Sequence, residues 1–160
     1  MNVLFVCTGN ICRSPTAEGV MIKQVREAGL ADDLWIDSAG TMAYHIGEEP
    51  DPRAQSTAER RGYDLSRLQA RLLEPHDFQN FDLILAMDKG HLRVMRRMMR
   101  DVPGTLGKAE LKLFLDYAEG QKGQDVPDPY YGGRQDFETA LDLIEMGVEG
   151  LIKDLRPRFD

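Results

Sequence analysis

The feature that most restricts the possible folds is a short apolar run close to Met1 that leads directly into a glycine-containing loop. Apart from Asn2, residues 2–6 are apolar, two of them are β-branched valines, and the run predicts a buried strand. The next nine residues, 7–15, read CTGNICRSP. Ser14 is expected to cap a helix with Pro15 at its first position, because serine accepts from free amides and proline needs no acceptor there. A strand joined to a helix by so tight a loop predicts an α/β protein.

The rest of the chain repeats this alternation of short apolar runs with helical periodicity. Further strands are expected at 34–37, 82–86 and 109–114, and helices from 15 to about 29, 52 to about 62, 89 to 100 and 137 to 155. The segment 121–133 is rich in glycine and proline and predicts a long loop. Such alternation predicts one domain over residues 1–160, with a parallel sheet that helices cover on both faces.

Net charge, apolar segments and the content of cysteine and histidine argue against several classes of function. The chain of 160 residues has a formal net charge of -7, which argues against nucleic-acid binding because the overall field repels a polyanion. The sequence predicts neither a membrane span nor a signal peptide. Two cysteines are too few for a disulfide scaffold, so a cytoplasmic protein with free thiols is expected. No metal site is expected, since the three histidines lack ligand spacing with the cysteines.

The opening loop has the composition of an anion site that contains a nucleophile. Backbone amides and the helix dipole make the start of a helix positive. Gly9 permits a bend, and Asn10 tolerates left-handed geometry and can brace the loop. Arg13 offers a planar fork for two phosphate oxygens, and these positive groups are expected to hold Cys7 as a thiolate aimed at phosphorus. The predicted phosphate-binding loop comprises Thr8, Gly9, Asn10, Ile11, Cys12 and Ser14.

A general acid is also required, and two Asp-Pro pairs offer one. Asp51 precedes helix-forming residues and is explained as an N-cap with Pro52 in the first turn. Asp128 precedes Pro129 in the predicted loop and has no capping role there, so its carboxylate could project into a site. An ordinary turn residue is the alternative, and the local sequence leaves this choice open.

These residues resemble the signature of the low-molecular-weight protein tyrosine phosphatases. The resemblance extends over essentially the whole chain, through residues 7–15, 17–18, 38–40, 50–54, 81–82, 87–88 and 128–130. It implies an α/β fold with a central four-stranded parallel sheet. It also implies hydrolysis of protein phosphotyrosine and small aryl phosphates through a cysteinyl-phosphate intermediate, with no cofactor and with inorganic phosphate as a product. One departure is that many relatives carry a histidine shortly before the pair matched here by Ala70 and Arg71, where this chain has Arg-Leu-Gln at 67–69.

The resemblance also implies roles for single residues. By it, Cys7 is the nucleophile, Arg13 binds phosphate and Asp128 acts as general acid and then as base. Asn10 and Ser14 hold the loop and the thiolate, and Ser38 supports them. Tyr44 and Tyr130 flank the mouth of the site.

The side chains around the loop favour an aromatic substrate. Tyr44, Tyr130 and Tyr131 lie in predicted loops, where rings are suited to recognition, although each could instead pack its own loop. With Ile11 they predict a deep slot that fits an aryl phosphate. Cys12 shares the tight loop with Cys7 and is expected to act as its redox partner by trapping an oxidised thiol as a disulfide, with simple packing as the alternative.

Three other functions fit parts of this pattern. An arsenate reductase on the same fold would need additional cysteines for its thiol relay, and the chain has none. Phosphoarginine phosphatases tend to carry threonine where this loop has Ile11. A phosphate-binding module without activity would need Arg13 but would have no use for Cys7 or Asp128.

Overall fold

A four-stranded parallel sheet forms the centre of the protein, as expected. The computed structural model describes residues 1–102 and 108–160. Its strands are β1 (Asn2–Cys7), β2 (Trp35–Gly40), β3 (Leu83–Ala86) and β4 (Glu110–Leu113). They are ordered β2-β1-β3-β4 and every pairing is parallel. The order therefore reverses between β1 and β3, and ligands of open parallel sheets bind at such a reversal, beyond the carboxyl ends of the strands.

Helices cover both faces of this sheet. They are α1 (Arg13–Glu27), α2 (Pro52–Arg60), α3 (Asp77–Asn80), α4 (Lys89–Arg100) and α5 (Arg134–Leu155), with 3-10 turns at Phe114–Tyr117 and Arg156–Arg158. Helices α1 and α5 pack together on one face, and α4 packs against β3 and β4 on the other. The short α3 was not predicted, because four residues show no helical period. Within the described ranges, no helix is long and apolar enough to cross a lipid bilayer.

Strand β1 divides the core into two layers by the alternation of its side chains. Val3 and Phe5 join the cluster under α1 and α5, whereas Leu4 and Val6 join the cluster under α4. Phe5 meets Phe114 edge to face, with 5.4 Å between the ring centroids. Burial of a side chain of this size stabilises the fold by about 1.5–3 kcal/mol. Cys7, which follows Val6, is thus held in place by a strand that is buried on both faces.

The start of α1 differs from the prediction. Cys12, not Ser14, occupies the N-cap position, and no side chain caps the helix. Ser14 lies inside the first turn and is fully buried, and its hydroxyl is bonded to Cys7 and Asn10 instead of to helix amides. The helix begins early because Asn10 takes the left-handed conformation, φ 57°, and turns the loop. The prediction of Ser14 as the N-cap is wrong because such contacts across the loop leave no signature in the local sequence.

Other boundaries agree within a few residues. Asp51 caps α2 as predicted, by accepting from the Arg53 amide. The segment 121–133 is a loop, and α5 starts at Arg134, three residues before the predicted start. Strand β2 continues to Gly40, where a Cβ would lie 2.6 Å from the Thr8 carbonyl oxygen. Gly40 therefore lets β2 run close beside the loop that follows β1.

Candidate active site

One pocket opens beyond the carboxyl ends of β1 and β3, at the reversal of strand order. Its volume is about 150 Å³, and apolar cavities of about this size hold a benzene ring. It is lined by Cys7, Thr8, Gly9, Ile11, Cys12, Arg13, Tyr44, His45, Asp128, Tyr130 and Tyr131. The fold thus brings nearly every predicted site residue to one place. Of the predicted loop residues, Asn10 and Ser14 lie behind the lining and contact it through hydrogen bonds.

Cys7 is the last residue of β1, and its sulfur has two hydrogen-bond partners. The Ser14 hydroxyl lies 2.9 Å from Sγ, and the Asn10 amide donates to Sγ over 3.3 Å. The residue is only 3% exposed. Cys7 therefore presents its sulfur to the pocket with both of these partners behind it.

The loop after Cys7 presents free backbone amides. Within the described part of the chain, the amides of Thr8, Gly9, Ile11 and Cys12 donate to no protein acceptor. The positive end of the α1 dipole adds to the same region. Buried amides almost always have a partner, so a run of free amides beside a helix start indicates an anion site.

Gly9 lies in the bend of this loop, where a side chain would be hindered as expected. Its backbone is not in the left-handed region, which Asn10 occupies instead. A Cβ at Gly9 would lie 2.9 Å from Cδ2 of His45. Glycine therefore allows the close approach of the His45 ring to the loop.

Asn10 holds the loop from behind with all of its amide atoms. Its Oδ1 accepts from the Arg71 amide over 3.0 Å. Its Nδ2 donates to the Ser14 hydroxyl over 2.7 Å and to the Ser38 hydroxyl over 2.9 Å. Asn10 and Ser38 are 2% and 4% exposed, and Ser14 is fully buried. This network fixes the left-handed turn and aims Ser14 at Cys7.

Arg13 is held on one side so that its other side faces the pocket. One terminal nitrogen, NH1, donates to Oδ2 of Asp88 and to the Val126 carbonyl, each over 2.9 Å. The other, NH2, lies 3.7 Å from Oδ2 of Asp128. Burial raises the pKa of Asp88, but the His91 amide and the Arg13 guanidinium outweigh this and leave it below its ordinary value. Asp88 is therefore a fixed negative charge that orients Arg13.

The two candidate acids occupy different surroundings. Asp128 lines the pocket, its side chain is 44% exposed, and one oxygen accepts from the Tyr130 amide over 3.1 Å. Asp51 does not line the pocket. It caps α2 and binds Arg53 through both of its oxygens, and the hydrogen bonds from Arg53 lower its pKa. Asp51 is thus committed to structure, and Asp128 is the carboxylate free to reach a ligand in the pocket.

The mouth of the pocket carries the predicted tyrosines. Tyr44 is 73% exposed and Tyr131 is 92% exposed. Tyr130 is less exposed and meets Tyr131 edge to face at 4.9 Å between ring centroids. Arg53 donates to the Tyr130 carbonyl over 3.0 Å and lies over its ring. One face of the mouth is therefore fixed, and the rest is open to solvent.

Two histidines of the site were missed by the sequence analysis. His45 lines the pocket and its Nδ1 pairs with Glu48. Nδ1 of His91 accepts from the Asp88 amide, so Nε2 is the nitrogen that donates to the Thr8 hydroxyl over 2.8 Å. Burial lowers the pKa of His91 to about 4, which agrees with a neutral ring. The Asp-x-x-His spacing at the start of α4 is a capping-box pattern, and this could have drawn attention to His91.

Cys12 lines the same pocket as Cys7, and both thiols are free and buried. Burial raises the pKa of the Cys12 thiol well above its ordinary range, and the negative charge of Asp51 adds to this effect. Cys12 is therefore a neutral thiol.

Comparison with known proteins agrees with this geometry. The family model described as low molecular weight phosphotyrosine protein phosphatase matches residues 2–158. A low molecular weight protein-tyrosine-phosphatase of Streptomyces coelicolor is 42% identical, over 99% of this chain and 95% of its own length. A protein tyrosine phosphatase from Entamoeba histolytica has a TM-score of 0.90 and 38% identity, and the match covers 99% of this chain and 98% of that one. An arginine phosphatase from Drosophila has a TM-score of 0.92 and 30% identity, and the match covers 98% of each chain.

Proposed function

The chain belongs to the low molecular weight phosphotyrosine protein phosphatase family, and we propose that it hydrolyses phosphotyrosine through a covalent bond between Cys7 and phosphorus. Family membership makes it a protein-tyrosine-phosphatase. The proposal concerns the route of the reaction, the residues that carry it, and residues 1–160 as a single phosphatase domain. It rests chiefly on the pocket in which Cys7, the free loop amides, Arg13 and Asp128 meet.

In the first step the Cys7 thiolate attacks phosphorus. The free amides of the loop and NH2 of Arg13 bind the three non-bridging phosphate oxygens, which move with phosphorus to the sulfur, and they stabilise the charge that redistributes there. The bond between phosphorus and the tyrosine oxygen breaks as the bond to Sγ forms. Asp128, in its protonated form, gives its proton to the departing oxygen. The products of this step are a free tyrosine side chain and cysteinyl phosphate.

In the second step water attacks the phosphorus of the intermediate. The Asp128 carboxylate takes a proton from that water, which is the reverse of its first role. The bond between sulfur and phosphorus breaks, and inorganic phosphate leaves. The electron pair returns to Sγ, where the Ser14 hydroxyl and the Asn10 amide receive the thiolate. Cys7 is thereby ready for another turnover.

Substrate choice follows from the depth of the pocket. The phosphate must reach the loop below Tyr44 and Tyr130, and a tyrosine ring is long enough to carry it there. Serine phosphate is too short to reach the base. The ring would then lie between Ile11 and the tyrosines of the mouth, where apolar contact is available. Protein phosphotyrosine is thus the proposed substrate, together with small aryl phosphates.

Phosphoarginine is the second candidate substrate, and the resemblance to the Drosophila arginine phosphatase is the observation that favours it. Ile11 argues against it. A guanidinium beside Ile11 would lose water from its N–H groups without gaining an acceptor from the isoleucine side chain, and such a loss costs free energy. Aryl phosphates are therefore preferred.

The test of the covalent route is the Cys7→Ser variant. We expect turnover of an aryl phosphate to fall about 10⁴-fold or more, since the nucleophile is lost, while phosphate and vanadate still bind because the loop amides and Arg13 remain. Rapid acid quenching of the wild type with a labelled substrate should leave phosphate covalently on Cys7, identified by peptide mass spectrometry.

Cys12→Ser is the matched control for this experiment, because it removes the neighbouring thiol and should still form the phosphoenzyme. Near-normal turnover in Cys7→Ser, or label found on Cys12, would contradict the proposed route. Arg13→Ala should lose both anion binding and rate, in contrast to Cys7→Ser.

We further propose that Cys12 protects Cys7 from oxidation. Peroxide would convert the Cys7 thiolate to a sulfenic acid, and the Cys12 thiol would displace water from it to form a disulfide. After peroxide and then a dithiol reductant, the wild type should recover activity and Cys12→Ser should recover much less. Equal recovery would leave Cys12 as a packing residue. Because the nucleophile must remain a free thiol, we infer that the enzyme works in a reducing compartment, the cytoplasm.

A further inference from the structure

A buried carboxyl group lies at the far end of the network that holds Cys7. Glu18 is in the second turn of α1 and is 7% exposed. Its Oε1 accepts from the Ser38 hydroxyl over 2.6 Å. Within the described residues, this is its one hydrogen bond. No step of the proposed reaction uses Glu18, and a buried carboxyl group with a single partner requires a physical reason.

The hydrogen bonds that start at Glu18 run in one direction to the sulfur. Ser38 gives its proton to Glu18, so the Ser38 oxygen accepts from Nδ2 of Asn10. The other proton of that amide goes to the Ser14 oxygen. Ser14 therefore keeps its own proton for Cys7, 2.9 Å away, with the Ala39 carbonyl at 3.5 Å as its other acceptor. The Arg71 amide fixes which way the Asn10 side chain points, and the Glu18 carboxylate is the charged acceptor at the end of the series.

We propose that Glu18 is a positioning residue whose ionised form strengthens this series of hydrogen bonds and so keeps the Ser14 hydroxyl donating to the sulfur of Cys7. Hydrogen bonds in series polarise one another, and a charged acceptor at one end strengthens the rest. A protonated Glu18 accepts more weakly or donates to Ser38 instead. The Ser38 proton is then released, the Ser38–Asn10 bond weakens, and the support behind the loop is reduced.

The surroundings of Glu18 place its protonation near neutral pH. Burial, together with the negative charge of Asp37 of β2, raises the pKa of Glu18 to about 7 against the hydrogen bond from Ser38 and the positive charge of Arg71. Arg71 is itself paired with Asp37 and Asp77, so its charge is largely balanced. Glu18 therefore changes its ionisation within the range in which a cell operates, and the catalytic rate is expected to follow.

The inference rests on the proposed role of Cys7, and its test compares Glu18→Gln with the wild type across pH. Glutamine keeps the shape and an acceptor oxygen but cannot ionise. The ratio of kcat/KM, variant over wild type, should be close to one near pH 6, where Glu18 is also neutral. It should fall about three- to tenfold by pH 8. Ionisation of the substrate and of the other groups cancels in this ratio.

Glu27→Gln is the matched control. Glu27 lies on the same helix with an exposed side chain and pairs only with Lys23 in the described structure. Its ratio should stay flat across pH. A flat ratio for Glu18→Gln as well would overturn the inference, and so would a fall of the same size in both variants.

A direct titration keeps the test independent of folding and of the reaction. The ¹³C resonance of the Glu18 side chain, assigned in the wild type through its bonds to the backbone, should titrate near pH 7. A midpoint at the ordinary value for glutamate would overturn the inference even if the variant failed to fold. If the proposed covalent route itself were wrong, a different experiment would show it, because Cys7→Ser would retain turnover.

The pH dependence of the stability of the fold provides a third test, and the raised pKa of Glu18 fixes the direction of the expected change. Between the ordinary pKa of 4.5 and the folded value of about 7, the folded state binds more protons at Glu18 than the unfolded state does. The contribution of Glu18 to stability therefore falls as pH rises through this window. The denaturation midpoint of the wild type should drop relative to that of Glu18→Gln between pH 5 and pH 8. Parallel midpoints would contradict the raised pKa.

Discussion

The base and the mouth of the pocket are built in opposite ways. At the base, Asn10, Arg13 and Ser14 are at most 4% exposed, and each is bonded to at least two partners. At the mouth, Tyr44 and Tyr131 are 73% and 92% exposed. The base is thus a solid part of the core, whereas much of the mouth lies on the surface.

This difference matches a division of roles, in which the base of the pocket is suited to catalysis and the mouth to substrate recognition. Transition-state stabilisation requires groups that are already oriented before the reaction, because reorientation costs free energy at the moment of reaction. Buried, fully bonded residues provide that. Recognition of protein surfaces tolerates adaptable contacts, so exposed rings on loops are sufficient. Changes at the base should therefore alter the rate, and changes at the mouth should alter substrate preference by smaller amounts.

Asp128 gives the sharpest test of this division, since it lies on the loop of the mouth and yet is proposed to transfer protons. Asp128→Ala should slow substrates with poor leaving groups about 10²- to 10⁴-fold, because a phenol near its usual pKa of about 10 needs a proton on departure. Strongly acidic nitrophenols should be affected much less. The measurement is kcat/KM for a series of aryl phosphates of graded leaving-group pKa.

Asp51→Ala is the matched control, since Asp51 is the other aspartate that precedes a proline in this region. It should cost about 1 kcal/mol of stability through loss of the α2 cap, with no change in the dependence on the leaving group. If Asp51→Ala steepened that dependence and Asp128→Ala slowed all substrates equally, the acid would be misassigned.

Ile11 lies between base and mouth, 9% exposed and within the pocket. Ile11→Thr adds a hydroxyl that can accept from a guanidinium. We expect the ratio of kcat/KM for phosphoarginine over phosphotyrosine peptides to rise roughly ten- to hundredfold. The wild type should prefer phosphotyrosine.

Two results would separate the parts of this prediction. A wild type that already prefers phosphoarginine would contradict the proposed substrate. An unchanged ratio in Ile11→Thr would keep the substrate and show that another residue sets the preference.

The smallest effect is expected at the outermost ring. Tyr131→Ala should change kcat/KM for a small aryl phosphate less than about threefold, as is usual for exposed positions. Tyr130→Ala should have a larger effect, because that ring is held by Arg53 and Tyr131. If Tyr131→Ala reduced the turnover of small aryl phosphates as strongly as Tyr130→Ala, the proposed difference between the bottom and the mouth of the pocket would be contradicted.

The fold could be predicted from the sequence because its signals are local. The apolar runs of β1 and β3 and the period of α4 specify their elements within a few residues. The loop at 7–15 was recognisable because the nucleophile, Asn10 and Arg13 are close in sequence. The Asp51 cap was likewise readable from the Asp-Pro pair alone.

The residues that hold the active-site loop in place could not be predicted in this way. Arg13 is 75 residues from Asp88, and Asn10 is 28 residues from Ser38 and 61 from Arg71. Nothing within the loop indicates these partners. Ser14 shows the consequence, because its local pattern is that of a helix cap, while in the folded chain Asn10 binds its hydroxyl and directs it at Cys7.

The order of residues along the chain therefore predicted the strands and helices, the anion loop and Cys7 as its candidate nucleophile, since each depends on neighbours within a few positions. The local sequence left the role of Asp128 open, and only the folded chain shows that Asp128 lines the pocket while Asp51 is bound by Arg53. The same holds for Glu18. Its charge state depends on burial beneath β2 and on the side chains of Ser38 and Arg71, which reach it only when the sheet has assembled.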